Sequence, residues 1–338
     1  MNGRYVVNKL ARAFLTIVAI MLINFLLFRA MPGSAVRLTH SPYQTQEQID
    51  QQMHKLGLDL PLMPLSISIS PPSIAFNQDN QLFSYISQTL SGNLGDSFKY
   101  KGQPVTQVIG DRLGPTLILI GFGEVIAIIL GLLLGAYSGW RRGSAVDRIG
   151  GGFGLVLYSM PYFVIGMPLI IIFAAALGWF PTSGMFTVGA TYDSWVAQLL
   201  DFTHHLILPL ATVSLGLIGG YSILMRAAIA ETRAEDYVTT ARAKGLTDGR
   251  ILRSHAFPNA MLPMVTIIAI NLGYVFGGAI TAEIVFNWPG IGTLTVDALS
   301  ARDYPVLQGI FLMLAVTVVL ANLIADLVYG LLDPRVRS

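Results

Sequence analysis

Three acids stand inside otherwise apolar stretches of this sequence: Glu124, Glu283 and Asp326. Keeping an ionisable side chain in lipid is costly, so each is a candidate for moving protons or ions. A relay of such groups would drive a proton-coupled transporter. Glu283 and Asp326 lie near the ends of their apolar runs, where water is close. Glu124 alone sits deep, where it must be protonated or bonded to a neighbouring helix. His204 and His205 are adjacent, so they point about 100° apart on a helix. A shared metal favours His at i and i+4, and these two read as ordinary residues at a helix start. The sequence contains no His-Glu-x-x-His or Gly-x-Ser-x-Gly motif, so no hydrolase nucleophile or metal centre is visible. Gly-x-x-x-x-Gly-Lys-Ser/Thr is also missing, and with it any phosphate-cradling loop of that kind. The expectation is a chain with no catalytic residue, no metal site and no cofactor.

The elements that hold these acids are membrane spans. Of 338 residues, 53% are hydrophobic and only 12% charged, against about 25% charged in soluble domains. A net charge of +2 is too small to argue for nucleic acid. The lack of cysteine removes disulfides and thiolate chemistry. Apolar runs long enough to span fall at roughly 10–30, 115–138, 151–178, 205–229, 260–286 and 306–332. Six helices follow, because backbone in lipid must satisfy its own hydrogen bonds. A cleaved leader is the rival reading of the first run, given Lys9, Arg12 and the small residues of 30–35. With the N-terminus inside, 14 of the 21 Lys and Arg fall on cytoplasmic segments. Both termini, and the charged stretch 230–260, are then cytoplasmic.

Residues 31–112 form the long outer segment. Thr45 to Leu58 has helical spacing behind a capping-box pair, Thr45 and Gln48. Leu65 to Phe76 alternates apolar and polar about Pro71-Pro72, which reads as a small hairpin. The stretches 81–90 and 103–113 read as short amphipathic surface helices. Within the spans, small residues recur every four positions: Gly131, Gly135 and Gly139, then Gly216 and Gly220, then Gly273 and Gly277. That spacing lets helix backbones approach closely, in a tight bundle or against a partner. The sequence shows no internal repeat.

The most charged stretch runs from Glu231 to Pro263. Acids come first, at Glu231, Glu235 and Asp236, and bases later, at Arg242 and Lys244, as suits a helix dipole. Gly245 ends that helix as a C-cap would. Thr247 or Asp248 caps a second helix, which Pro258 stops. Two short amphipathic helices joined at a glycine suit a groove in another protein.

At these residues the chain resembles the permease subunits of ABC importers for di- and oligopeptides, on the "B" side. Their signature runs Glu-Ala-Ala, three residues, Gly, nine residues, then Ile-x-Leu-Pro. Ala241, Gly245 and Pro258 match it in spacing. Thr239 and Thr240 replace its Glu and first Ala, His255 its Ile, and Phe257 its Leu. Asp236 to Leu246, "DYVTTARAKGL", is close to the form of the peptide branch. "LGLDLPL" (56–62), "GDS" (95–97), "AEIVFNWPGIG" (282–292), "ARDYPVLQG" (301–309) and "LLDPRVR" (331–337) also resemble family segments, in family order. Residues 63–80 depart from the pattern as an insertion of about eighteen residues.

The resemblance implies an all-α polytopic protein of the type I ABC importer permease fold, with six transmembrane helices and a small extracytoplasmic α/β cap. It implies three parts: residues 1–30 as the N-terminal end and first span, 31–112 as the extracytoplasmic region, and 113–338 as a five-helix core. The partners implied are a second homologous permease, two cytoplasmic ATPases, an extracytoplasmic solute-binding protein and membrane lipid, with no nucleic acid. The place is a prokaryotic plasma (inner) membrane. Coupling to the ATPases falls to Ala241, Arg242, Lys244, Gly245, Leu246 and Pro258, with Gly245 as hinge. An outer gate falls to Trp288, Pro289, Gly290, Ile291 and Gly292, with Trp288 suited to the membrane interface. Di- and oligopeptides are the first expectation for substrate. Nickel, glutathione and oligosaccharides are carried by the same branch.

Overall fold

The computed structural model describes residues 3–29, 60–62, 65–69, 72–77 and 79–332. The helix expected over 45–58 lies outside them. Among the described residues five helices are long and apolar enough to cross a membrane, or six if one sharply bent pair makes a single span. The chain is thus a multi-pass, mostly helical protein.

Helix α1 covers Gly3–Arg29. Strands β1 (Leu65–Ile69) and β2 (Pro72–Phe76) pair antiparallel, with Leu65 opposite Phe76 and Ile67 opposite Ile74. This is the hairpin expected from the alternation, except that Pro72 begins the second strand, opposite Ile69. Among the described residues the two strands pair only with each other. So small a sheet is marginal alone, and the described residues do not support the α/β cap expected here. Helix α2 (Gln81–Leu90) starts where Asn80 Oδ1 accepts the Phe83 amide at 2.9 Å.

Helix α3 runs unbroken over Val105–Trp140, and so absorbs the separate surface helix expected over 103–113. Its 36 residues extend about 54 Å at 1.5 Å each, well beyond a hydrocarbon core of roughly 30 Å. The third run is not one helix. It divides into α4 (Ala145–Ser159) and α5 (Tyr162–Leu169), the latter continued by a π-helical segment Ile170–Ala176. The two halves meet at 102°. Pro161 is the cause: the residue before a proline is driven to extended backbone, and Met160 has φ −90° and ψ 124°.

Helix α6 (Trp195–Thr232) begins ten residues before His205, which is therefore well inside the helix and not at its start. Short helices α7 (Asp236–Ala243) and α8 (Asp248–Ile251) follow. A π turn over Leu252–Ala256 then leads into α9 (Phe257–Tyr274). Pro258 does not stop this element; it stands in the first turn of α9, where a missing N–H costs least. The fifth run ends sooner than expected, at Gly277, and α10 (Ile280–Val285) is separate. Helices α11 (Ile291–Ala301) and α12 (Tyr304–Leu332) complete the order.

The chain divides into two compact units. The larger comprises 1–13, 114–293 and 317–338. In it α3 lies directly on α6 along the first glycine stripe. A Cβ on Gly131 would come 2.6 Å from Tyr221 Cβ, one on Gly135 2.4 Å from the Ser222 carbonyl, and one on Gly139 2.6 Å from the Arg226 carbonyl. On the other side of α6, a Cβ on Gly219 would meet the Tyr158 amide at 2.5 Å. The stripes therefore serve packing within this chain, and Gly219 belongs to them although it breaks the four-residue rhythm. The smaller unit comprises 14–113 and 294–316. There Asn24 Nδ2 donates to the Gln308 carbonyl at 3.1 Å, and the Phe25 and Tyr85 rings stack 5.5 Å apart.

Candidate functional site

The charged stretch folds as a helix–glycine–helix projection with a buried base. Val238, Ala241 and Ile251 face inward and are at most 5% exposed, in one cluster with Trp140, Ile229 and Ala256. Arg242, Lys244 and Gly245 face outward, while Leu246 is half-buried against the same cluster. Gly245 has φ +78°, the left-handed region open to glycine. The turn closes through the Gly245 amide to the Arg242 carbonyl at 2.9 Å and the Leu246 amide to the Ala241 carbonyl at 3.3 Å. That is the double bond of a glycine C-cap. Thr247 caps α8 by backbone alone, with no side-chain bond. Pro258 is exposed beyond the π turn. Tyr237 has its hydroxyl pKa raised, first by burial and then by neighbouring Glu235, and stays neutral. Of the residues assigned to coupling, Ala241 thus seats the projection, and Arg242, Lys244 and Gly245 form its outer surface.

The loop 286–293 is built around Glu283. This carboxylate is fully buried, not near water as its place in the sequence suggests. Thr116 Oγ1 donates to Oε1 at 2.9 Å and the Thr293 amide to Oε2 at 3.0 Å. Thr116 Oγ1 in turn accepts the Ile291 amide at 2.7 Å. Gly290 and Gly292 make this possible: a Cβ on Gly290 would lie 2.4 Å from Glu283 Oε2, and one on Gly292 2.7 Å from Ile280 Cα. Gly278, at φ +76°, brings the backbone beside the same carboxylate. Trp288 is completely buried, with Nε1 donating to the Pro115 carbonyl at 3.0 Å and its ring 5.8 Å from Phe202. It is a packing residue of the bundle, not the interfacial anchor its type suggests. Ile291 is also fully buried.

The other acids are paired. Glu124 accepts from the Tyr221 hydroxyl, which itself accepts from Asn271 Nδ2 at 2.9 Å. Three helices are thereby joined, with Glu124 only 2% exposed. Asp326 accepts from Lys9 Nζ at 2.6 Å. His204 Nε2 donates to the Trp179 carbonyl at 2.7 Å and His205 Nδ1 to the Asp201 carbonyl at 2.8 Å. Among the described residues no three His, Asp or Glu side chains converge as metal ligands.

Two pairings have no signal in the sequence. Arg226 on α6 holds Asp147 on α4 through Nε at 2.5 Å and Nη2 at 3.0 Å, a bidentate bridge between residues 79 apart in the sequence. In the smaller unit the buried Asp303 accepts from Ser97 Oγ at 2.5 Å and from the amides of Phe98 and Lys99 at 3.1 and 3.0 Å. The segments "GDS" and "ARDYP" are thus parts of one knot, which nothing in their local composition reveals.

Residues 127–338 match the family described as binding-protein-dependent transport system inner membrane component, and residues 2–120 match its N-terminal counterpart. A probable peptide ABC transporter permease of Sinorhizobium fredii is 35% identical over 99% of both chains. An oligopeptide transport system permease of Bacillus subtilis is 31% identical over 98% of this chain and 99% of its own. A glutathione transport system permease of Escherichia coli is 34% identical over 98% of both.

Proposed function

The chain belongs to the binding-protein-dependent transport system inner membrane components, and we propose that it is a pore-forming subunit of an ATP-driven importer of di- and oligopeptides. Relatives named for peptides, oligopeptides and glutathione, itself a tripeptide, support this substrate class. In this reading a second, similar permease completes the pore. Two ATPases bind on the cytoplasmic side, where the chain's own sequence has no phosphate loop. A solute-binding protein delivers substrate from outside. Both termini and the projection at 236–251 are cytoplasmic, residues 31–112 are extracytoplasmic, and the setting is a prokaryotic plasma membrane.

The observation that carries this reading is the projection itself: an exposed turn at Gly245 on a base locked into the bundle through Val238, Ala241 and Ile251. Closure of the ATPases displaces α7 and α8. Because their inner faces share a core with α3, α6 and α9, the displacement re-aims those spans instead of being lost in a soft loop. The result is exchange between two packed states open to opposite sides. The loop 288–292 serves as outer gate, with Glu283 and Thr116 as its latch. An ion relay through Glu124, Glu283 and Asp326 has less support, since each already has a partner within the fold.

The test is uptake by vesicles holding the complete complex and its binding protein, offered labelled di-, tri- and pentapeptides, glutathione, nickel and an oligosaccharide. ATP-dependent accumulation of peptides is expected. Uptake driven by a proton gradient without ATP, or confined to nickel or the oligosaccharide, would sink the reading.

A further inference from the structure

At the end of α3 a cavity of about 410 Å³ opens among Tyr137, Trp140, Arg141, Arg142, Arg233 and Arg242. Four arginines line it, with Asp248 as the one acidic lining residue, so positive charge is in excess by three. Three of the cations are held in place. Arg141 lies 4.5 Å over the Tyr137 ring and Arg242 5.5 Å over that of Trp140, while Arg233 Nη1 donates to the Trp140 carbonyl at 3.0 Å. The bond from Arg242 to Asp248 is long, 3.5 Å, and exposed, and such pairs contribute little. A planar fork of donors fixed beside an open space is suited to phosphate.

The surface leading to the cavity says which phosphate. Ile129, Leu133 and Tyr137 follow at four-residue steps along α3 and are 54, 58 and 45% exposed. Arg141 is the next step of the same stripe. An apolar track ending in a guanidinium fits an acyl chain joined to an anionic headgroup, and basic pockets at the cytoplasmic ends of spans bind such heads. Free phosphate, or an acidic side chain of another protein, would use the charges alone.

We propose that this cavity seats the phosphate of an anionic membrane lipid whose chain lies along Ile129, Leu133 and Tyr137. The lipid then bridges the end of α3 to the Gly245 projection through Arg242. The cytoplasmic placement of the cavity rests on the importer reading; the binding itself does not.

The test is native mass spectrometry of the purified full chain, titrated with phosphatidylglycerol or phosphatidylcholine. Preferential retention of phosphatidylglycerol is expected. Arg141→Gln with Arg142→Gln should weaken it about fivefold per arginine, while the charge-matched pair Lys101→Gln with Arg112→Gln should leave it unchanged. Should the arginine pair fail to fold, Leu133→Ser with Tyr137→Ser provides a second route, and should lower lipid retention without changing binding of inorganic phosphate. Equal retention of both lipids, or undiminished retention in the variants, would overturn the site. So would loss of the lipid when the ATPases assemble, which would give the cavity to an acidic side chain of that partner. Absence of ATP-driven uptake by the complex would strike the importer reading alone and leave the titration as it stands.

Discussion

Thr116 and Glu283 lie 167 residues apart, and the hydroxyl of one donates to the buried carboxylate of the other at 2.9 Å. The same hydroxyl oxygen accepts the Ile291 amide. One small side chain on α3 therefore satisfies both α10 and the start of α11, in a place where neither has water to turn to.

Removing that hydroxyl should be costly. Thr116→Val keeps the volume but strands a buried carboxylate oxygen and a buried amide, at about 1–3 kcal/mol for each group left unmade. Thermal unfolding of the purified chain should show a clearly lowered midpoint for the valine variant and a near-normal one for Thr116→Ser. Equal midpoints for valine and wild type would remove Thr116 from the latch.

The Gly245 turn separates backbone strain from crowding. A Cβ there meets nothing within 4 Å, so a substitution is penalised only through φ, at about 1–2 kcal/mol for most residues and less for asparagine. Gly245→Val should uncouple ATP hydrolysis from uptake in the assembled complex, and Gly245→Asn should largely preserve coupling. Full uptake by the valine variant would mean that the turn is not a hinge.

Cysteine labelling tests both sidedness and gate, and the chain has no cysteine of its own to interfere. Val188 is completely exposed in the segment between α5 and α6; as cysteine it should react with an impermeant reagent from outside. Lys244→Cys should react only from the cytoplasm. Ile291→Cys, fully buried here, should be slow at rest and accelerate during turnover. Reversal of the first two would invert the topology, and a constant Ile291 rate would dismiss the gate.

Among the described residues β1 and β2 pair with no other strand, and a lone two-stranded ribbon is marginal in water. Replacing residues 64–78 by Gly-Ser should lower stimulation of the ATPases by the binding protein while basal hydrolysis and assembly persist. Unchanged stimulation would make the hairpin a passive insertion, which loop entropy tolerates easily.

The sequence by itself determined the elements whose causes are local. Long apolar runs had to be helices, since lipid offers the backbone no other partner. Alternation about two prolines made the hairpin, and Gly245 between an acid-first helix and Thr247 made the projection. Glycines at every fourth position announced close helix packing. Tertiary structure decided what depended on distant partners. Burial of Trp288 against Pro115 and Phe202, and of Glu283 beneath Thr116, contradicts what their types and places suggest. The Arg226–Asp147 bridge and the Asp303 knot unite residues with no local sign of each other. Pro161 breaks a run that hydropathy reads as continuous, whereas Pro258 is absorbed in the first turn of α9. Both are prolines beside helical segments. The difference lies in position: the first sits between two helices, where the residue before it must be extended, and the second follows a π turn that is already helical and needs no donor from it.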